Sequence, residues 1–261
     1  SPVCTACGPK AREARIAFRL RREEDIRLDI ANASGTVVRR GIGSGVFGQA
    51  FHTFAWDGRD DSGHVVPDGI YRAELTLRDE KRIFEFPNEI RVDSTPPKIP
   101  DVKPRHTVFS PDGDGHVDRV DLRYRFSEPA YPVLYLDGRR LGRSHTRQPV
   151  GTRQWYGIGL PPGEHRLALA AQDLAGNLGP STREFTVRIR YVELFKRRYV
   201  VRGKKLRLRV SADAAVHWRL AGKSGLGRPP VLTIPVPSRP GRYRLTVTVN
   251  SHAARATVVV R

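Results

Sequence analysis

The sequence predicts an all-β chain of three small sandwiches in series, and three observations carry that prediction. One phrase recurs: Pro67-Asp68-Gly69-Ile70-Tyr71-Arg72-Ala73-Glu74-Leu75 returns as Pro161-Pro162-Gly163-Glu164-His165-Arg166-Leu167-Ala168-Leu169 and as Arg239-Pro240-Gly241-Arg242-Tyr243-Arg244-Leu245-Thr246-Val247, its glycines 94 and 78 residues apart. Self-similarity at that period marks repeated units. Apolar and polar residues also alternate with period two through most of the chain, the pattern of strands with one face in a core. Finally, 24 glycines and 20 prolines punctuate these runs, and no long stretch carries a helical stripe.

Divided by the repeat, the 261 residues give units of about 70–95 residues, the usual size of an immunoglobulin-like sandwich. Each is large enough to bury a modest core without disulfides or metals. Residues 1–10 read as an N-terminal extension, 11–95 as the first module, 98–190 as the second and 191–261 as a small third one. The first boundary is Asp93-Ser94-Thr95-Pro96-Pro97-Lys98-Ile99-Pro100, whose prolines cannot donate ladder hydrogen bonds and favour an extended, semi-rigid link. The second falls near Tyr191 with no Gly/Ser run, so it is expected to be short, and stiff short links suit an elongated rod.

Within the first module Ile16, Phe18 and Leu20 form one stripe, Ile26, Leu28 and Ile30 a second, and Tyr71, Ala73, Leu75 and Leu77 a third. Gly43-Ser44-Gly45-Val46-Phe47-Gly48 formally matches Gly-x-Gly-x-x-Gly. A dinucleotide site needs a strand before it and a helix after it, whereas a strand, Phe51 to Trp56, follows, so the segment is expected to be a flexible connection. The second module offers Val120, Leu122, Tyr124 and Phe126, then Phe185, Val187 and Ile189. The third offers Leu206, Leu208 and Val210; Val216, Trp218 and Leu220; Tyr243 to Val249; and Ala256, Val258 and Val260. In the recurring phrase, Gly69, Gly163 and Gly241 are read as turn residues taking positive φ. Tyr71, His165 and Tyr243 are expected to cap the end of each core with a polar tip reaching backbone.

Trp56-Asp57-Gly58-Arg59-Asp60-Asp61-Ser62-Gly63 followed by Val66-Pro67-Asp68-Gly69-Ile70-Tyr71 resembles the Ig-like domain of the bacterial flagellar hook-capping protein, over roughly residues 11–93. The resemblance implies structural roles for Trp56, Asp57, Gly58, Pro67, Gly69 and Tyr71. The second module is similar to bacterial surface Ig-like repeats: Asp93 to Pro97 resembles their linker, Phe109-Ser110-Pro111-Asp112-Gly113-Asp114-Gly115 their opening motif, and Ala171-Gln172-Asp173-Leu174-Ala175-Gly176-Asn177 their closing one. Together these imply a secreted or surface-exposed modular protein.

Chemistry-bearing motifs are few. Asp112, Asp114 and Asp118, spaced by glycines, offer oxygen ligands of the kind calcium takes, or a turn in which aspartates cap backbone amides. Asp57, Asp60 and Asp61 read as hairpin-turn residues. Cys4 and Cys7 are the only cysteines, consistent with a small local disulfide in an exported protein or with two free thiols. The eight histidines show no zinc spacing, no Gly-x-Ser-x-Gly elbow occurs, and no catalytic residue is assigned. The chain lacks methionine even at position 1, as expected of a product whose upstream segment, a signal or an anchor, has been removed. No apolar run reaches the roughly 20 residues that span a membrane.

Charge is unevenly distributed. Residues 1–97 hold 15 basic and 15 acidic side chains, residues 98–190 hold 15 and 10, and residues 191–261 hold 16 and 2. The excess of +19 therefore sits mostly in the third module, where Lys196, Arg197, Arg198, Lys204, Lys205, Arg207 and Arg209 form a candidate polyanion-binding stripe with Tyr199 available for stacking. Anionic wall polymers or lipid headgroups suit an exported protein better than nucleic acid. The leading expectation is a non-enzymatic, extracellular or envelope-attached scaffold, adhesion or spacer protein that meets other surface proteins. The alternatives are a polyanion- or carbohydrate-binding accessory module and a flagellar hook assembly scaffold.

Overall fold

The structure, a computed structural model, describes residues 13–261, so Cys4 and Cys7 lie outside the described residues. Among these residues there are strands and turns but no helix, and hence no helix long and apolar enough to cross a membrane. The buried side chains form three separate clusters, spanning residues 14–92, 109–189 and 199–260. The chain is therefore an all-β series of sandwiches, each with its own core.

The first sandwich packs β1 (Ala14–Arg19) and β4 (Phe51–Trp56) against a sheet of β2 (Glu24–Asn32), β3 (Val37–Phe47), β5 (Gly69–Leu77), β6 (Arg82–Glu85) and β7 (Ile90–Val92). The expected stripes point inward: Ile26, Leu28 and Ile30 are fully buried, and Trp56 lies over Tyr71 with ring centroids 5.3 Å apart. Gly43 to Phe47 is no flexible connection but the second half of β3, paired with Glu24 to Leu28 of β2. Glycine is required there because a Cβ on Gly43 would stand 2.3 Å from the Phe54 ring. The aromatic ring covers the strand at a position that offers no side chain of its own.

The second sandwich comprises β8 (Asp101–Arg105), β9 (Val108–Phe109), β10 (Val120–Leu136), β11 (Arg139–Arg143), β12 (Gln148–Trp155), β13 (Gly163–Gln172) and β14 (Phe185–Ile189). Strand β10 serves both faces. Its first half pairs with β8 and β12, its second with β11 and β13, and the register breaks between Arg125 and Ala130. Pro129 falls in that break, where a missing backbone donor costs least.

The third sandwich joins the sheet β15 (Glu193–Leu194), β17 (Lys205–Ser211) and β20 (Val231–Pro235) to a second sheet. That second sheet runs β16 (Arg198–Val201), β22 (His252–Val260), β21 (Gly241–Val249), β18 (Val216–Leu220) and β19 (Lys223–Gly227).

Candidate functional site

The repeated phrase has the same geometry in all three sandwiches. Tyr71 donates its hydroxyl to the carbonyl of Pro67 at 2.7 Å, and Tyr243 donates to that of Arg239 at 2.9 Å. His165 Nε2 lies 3.2 Å from the carbonyl of Pro161, and its Nδ1 lies 3.3 Å from Asp137 Oδ2. Each aromatic tip thus ties back four residues, as a corner that fixes the entry of the strand. The glycine reading holds at two of the three positions: Gly163 and Gly241 take positive φ, +145° and +158°, whereas Gly69 does not. All three open their strands, opposite Val92, Ile189 and Val260. In the hairpin before the first corner, Gly58 does adopt φ +78°, Trp56 Nε1 donates to Arg59 O at 2.8 Å, and Asp57 accepts from the Arg59 amide at 3.2 Å. Asp60 and Asp61 likewise accept backbone amides, from Ser62, His64 and Arg40.

The two junctions between sandwiches are built from specific polar contacts. At the first, Asp68 accepts the Ser94 amide at 2.8 Å and the Ser94 hydroxyl at 2.6 Å. Burial pushes the Asp68 carboxyl up, but hydrogen bonds from Ser94 and Thr95 outweigh it and hold the group below the usual carboxylate range. Further along the linker, Asn177 Nδ2 donates to the carbonyl of Asp93 at 2.8 Å. The Ser127 hydroxyl accepts the Lys98 amide at 2.9 Å, and the Ser127 amide donates to Lys98 O at 3.0 Å. Beside this clamp Asp93, Glu128 and Asp173 bring carboxylate oxygens within 4.8 Å of one another. Burial, and then the neighbouring negative charges, raise the carboxyls of Asp93 and Glu128. Sequence reasoning missed this cluster because its members come from a linker, a strand break and a closing loop.

At the second junction, Arg188 Nη2 donates to Glu193 Oε1 at 2.6 Å, and Tyr191 stacks on His252 with interplanar angle 5°. Fully buried Ser110 donates its hydroxyl to Asp213 Oδ2. Ser110 opens the acidic loop between β9 and β10, and Asp112, Asp114 and Asp118 of that loop bring carboxylate oxygens within 4.8 Å of one another. Asp213 is a residue that no local motif announces. Burial chiefly raises its carboxyl, to about 6, and the charges of Asp114, Asp112 and Asp118 add to the rise.

The basic surface differs from the sequence expectation. Lys196, Arg197 and Arg198 lie at β16, whereas Lys204, Lys205, Arg207 and Arg209 lie at β17 in the other sheet, so the seven do not form one stripe. Arg207 and Arg209 do share the outward face of β17. Tyr199 is no stacking platform: it is buried in the core. Its place in the alternation explains this, since Tyr199 and Val201 point inward while Arg198 and Val200 point out.

A denser array emerges from strands far apart in sequence. Arg198 and Arg244 both stand opposite Thr257, and Arg255 and Arg219 both stand opposite Thr246, all four arginines exposed. Arg242 extends the same face. The signal available in the sequence was Arg at every second position, Arg242-Tyr243-Arg244, across a buried stripe. Both acidic residues of 191–261, Glu193 and Asp213, are engaged by the second sandwich. Among the described residues, none of the sixteen Lys and Arg in 191–261 forms an ion pair.

Residues 9–81 match the family model described as the FlgD Ig-like domain. No curated protein matches the chain. Similar solved structures include the fibronectin(III)-like modules of Clostridium thermocellum CbhA, with 14% identity, 69% of this chain and 86% of that one covered, and a TM-score of 0.36. FLGD from P. aeruginosa shows 16% identity over 54% of this chain and 87% of that one, with a TM-score of 0.27. The I9–I11 tandem of titin shows 11% identity over 95% and 93%, with a TM-score of 0.38.

Proposed function

We propose that this chain is a non-enzymatic spacer or scaffold of the extracellular space or cell envelope, whose sandwiches are held in fixed succession to present an interaction surface. The observation that carries this reading is the linker, clamped on both sides: Asp68 grips Ser94 from the first sandwich, and Asn177 and Ser127 grip Asp93 and Lys98 from the second. A flexible tether between independent binding modules would not need side chains from both neighbours devoted to its backbone. Small-angle X-ray scattering of the full chain tests it. The expected profile fits a single extended arrangement. A profile that requires a broad ensemble of inter-sandwich angles would overturn the spacer reading.

A second reading is favoured by the unpaired arginine face: the third sandwich binds an anionic polymer or headgroup, which anchors the spacer. Regularly spaced guanidinium groups with no internal counter-charge attract phosphate- or carboxylate-bearing chains. The double variant Arg244→Glu/Arg255→Glu in the full chain should weaken binding to poly(glycerol phosphate), or to vesicles containing an acidic lipid, by about tenfold or more, and flatten its salt dependence. The control Arg207→Glu/Arg209→Glu, on the other sheet, should do much less. Equal losses from the two variants would reduce the interaction to net charge.

A further inference from the structure

The acidic loop at the second junction differs from an ordinary capped turn. Asp118 is satisfied, accepting the amides of Gly113 at 2.9 Å and Gly115 at 2.8 Å, and Asp114 accepts that of His116 at 2.8 Å. Asp112 is not. Both of its carboxylate oxygens have less than 1 Å² of accessible surface and no hydrogen-bond partner. Asp213 Oδ1, reaching the same region from the third sandwich, is in the same condition. None of the four carboxylates forms an ion pair among the described residues; the nearest arginine along the chain, Arg119, is paired with Asp121 instead. A desolvated carboxylate with neither donor nor counter-charge is among the least favourable arrangements a folded chain can hold. Here Asp112 is such a group, and Asp213, with one oxygen held by Ser110 and the other unsatisfied, feels the charges of all three loop acids, in a protein that carries +19 overall.

The chemistry that resolves this is a hard cation. Every ligand atom offered is oxygen, which suits calcium and does not suit zinc or copper. Two oxygens on opposite sides of a calcium ion stand up to about 4.8 Å apart, and the oxygens of Asp112, Asp114 and Asp118 already meet that limit. Calcium tolerates an irregular shell completed by water, which this loop provides more readily than the strict octahedron magnesium demands.

We propose that Asp112, Asp114 and Asp118 bind a calcium ion, and that Asp213 closes the site from across the junction, so that the ion ties the third sandwich to the second. The loop and the junction are thereby one device. The charge that makes the interface unfavourable without the ion becomes the force that holds it with the ion. Because Ser110 already positions Asp213, the closing carboxylate is placed before the ion arrives.

Isothermal titration calorimetry of calcium chloride into chelator-treated full chain, with magnesium chloride as comparison, reads the binding. Asp112→Asn is expected to weaken the loop site by about a hundredfold and Asp213→Asn by about tenfold, since ligand charge sets affinity in such sites. Amide exchange supplies the second readout. Calcium should slow exchange in residues 110–118 and 210–214 together, and Asp213→Asn should uncouple them. Stability gives a sign that a purely structural cap would not. In chelator, Asp112→Asn and Asp213→Asn should leave the chain at least as stable as the parent, and in calcium less stable. The asparagine retains an oxygen for Ser110, so the hydrogen bond survives the change. No calcium binding, binding unchanged by Asp112→Asn, or equal destabilisation in both buffers would each overturn the proposal.

Discussion

Replacing Trp56 with alanine is expected to unfold the first sandwich while leaving the other two folded. The indole is 1% exposed, packs on Tyr71, and donates Nε1 to the Arg59 carbonyl. Truncating a fully buried tryptophan typically costs about 3–5 kcal/mol through lost transfer energy and the cavity left behind. Here the Arg59 carbonyl also loses its buried donor. A domain of this size has only about 4–12 kcal/mol to lose, so the variant sits near or below its folding threshold at moderate temperature. The three buried clusters share no residue, so the damage has no packed route into the second core. Differential scanning calorimetry of the full chain should show one transition moved down or abolished and the rest retained. A single cooperative transition that shifts as a whole would show that the sandwiches do not fold as separate units. Trp56→Phe, which keeps most of the packing and loses only the donor, should recover more than half of the loss.

That prediction rests on the part of the fold that was legible in sequence. The period-two stripes name the buried positions because alternation is a local property, read without knowing the strand's partner. Gly43 to Phe47 was illegible for the complementary reason: glycines at 41, 43 and 45 interrupt the alternation of side chains, and Phe54 lies over the strand at Gly43. The long strand β10 was hidden by Pro129, which reads as a terminator but falls where the strand changes partners.

The candidate sites divide in the same way. Asp112, Asp114 and Asp118 were visible because one loop carries them. Asp213 was invisible because only the junction brings it near. The basic residues were misgrouped because a run such as Lys196-Arg197-Arg198 is conspicuous, whereas a sheet face gathers one residue from each of several strands. Arg198, Arg219, Arg244 and Arg255 become neighbours only through the registers that place Thr246 and Thr257 between them.

The first junction supports the second large prediction, Asp173→Ala. Asp173 is buried and accepts three hydrogen bonds: from the amides of Gly176 at 2.7 Å and Asn177 at 2.8 Å, and from Asn177 Nδ2 at 2.8 Å. Alanine would leave two backbone donors and an amide group short of their acceptor, and hydrogen bonds to a charged group are the costlier kind to lose, so about 3 kcal/mol should be lost from the second sandwich. The same change releases Asn177, whose Nδ2 also holds the linker carbonyl of Asp93. Stability and inter-sandwich order should therefore fall together.

Gly179→Ala separates the two effects. A Cβ there would stand 2.2 Å from the carbonyl oxygen of Pro97, although the hydrogen bonds around Asp173 are untouched. That variant should loosen the linker with a smaller loss in the second core. Amide exchange of Lys98, whose N–H is held by Ser127, reports linker docking, and thermal unfolding reports the core. If Gly179→Ala left Lys98 as protected as in the parent chain, the linker would not depend on this seat. The succession of the first two sandwiches would then be fixed by the grips of Asp68, Asn177 and Ser127 without it.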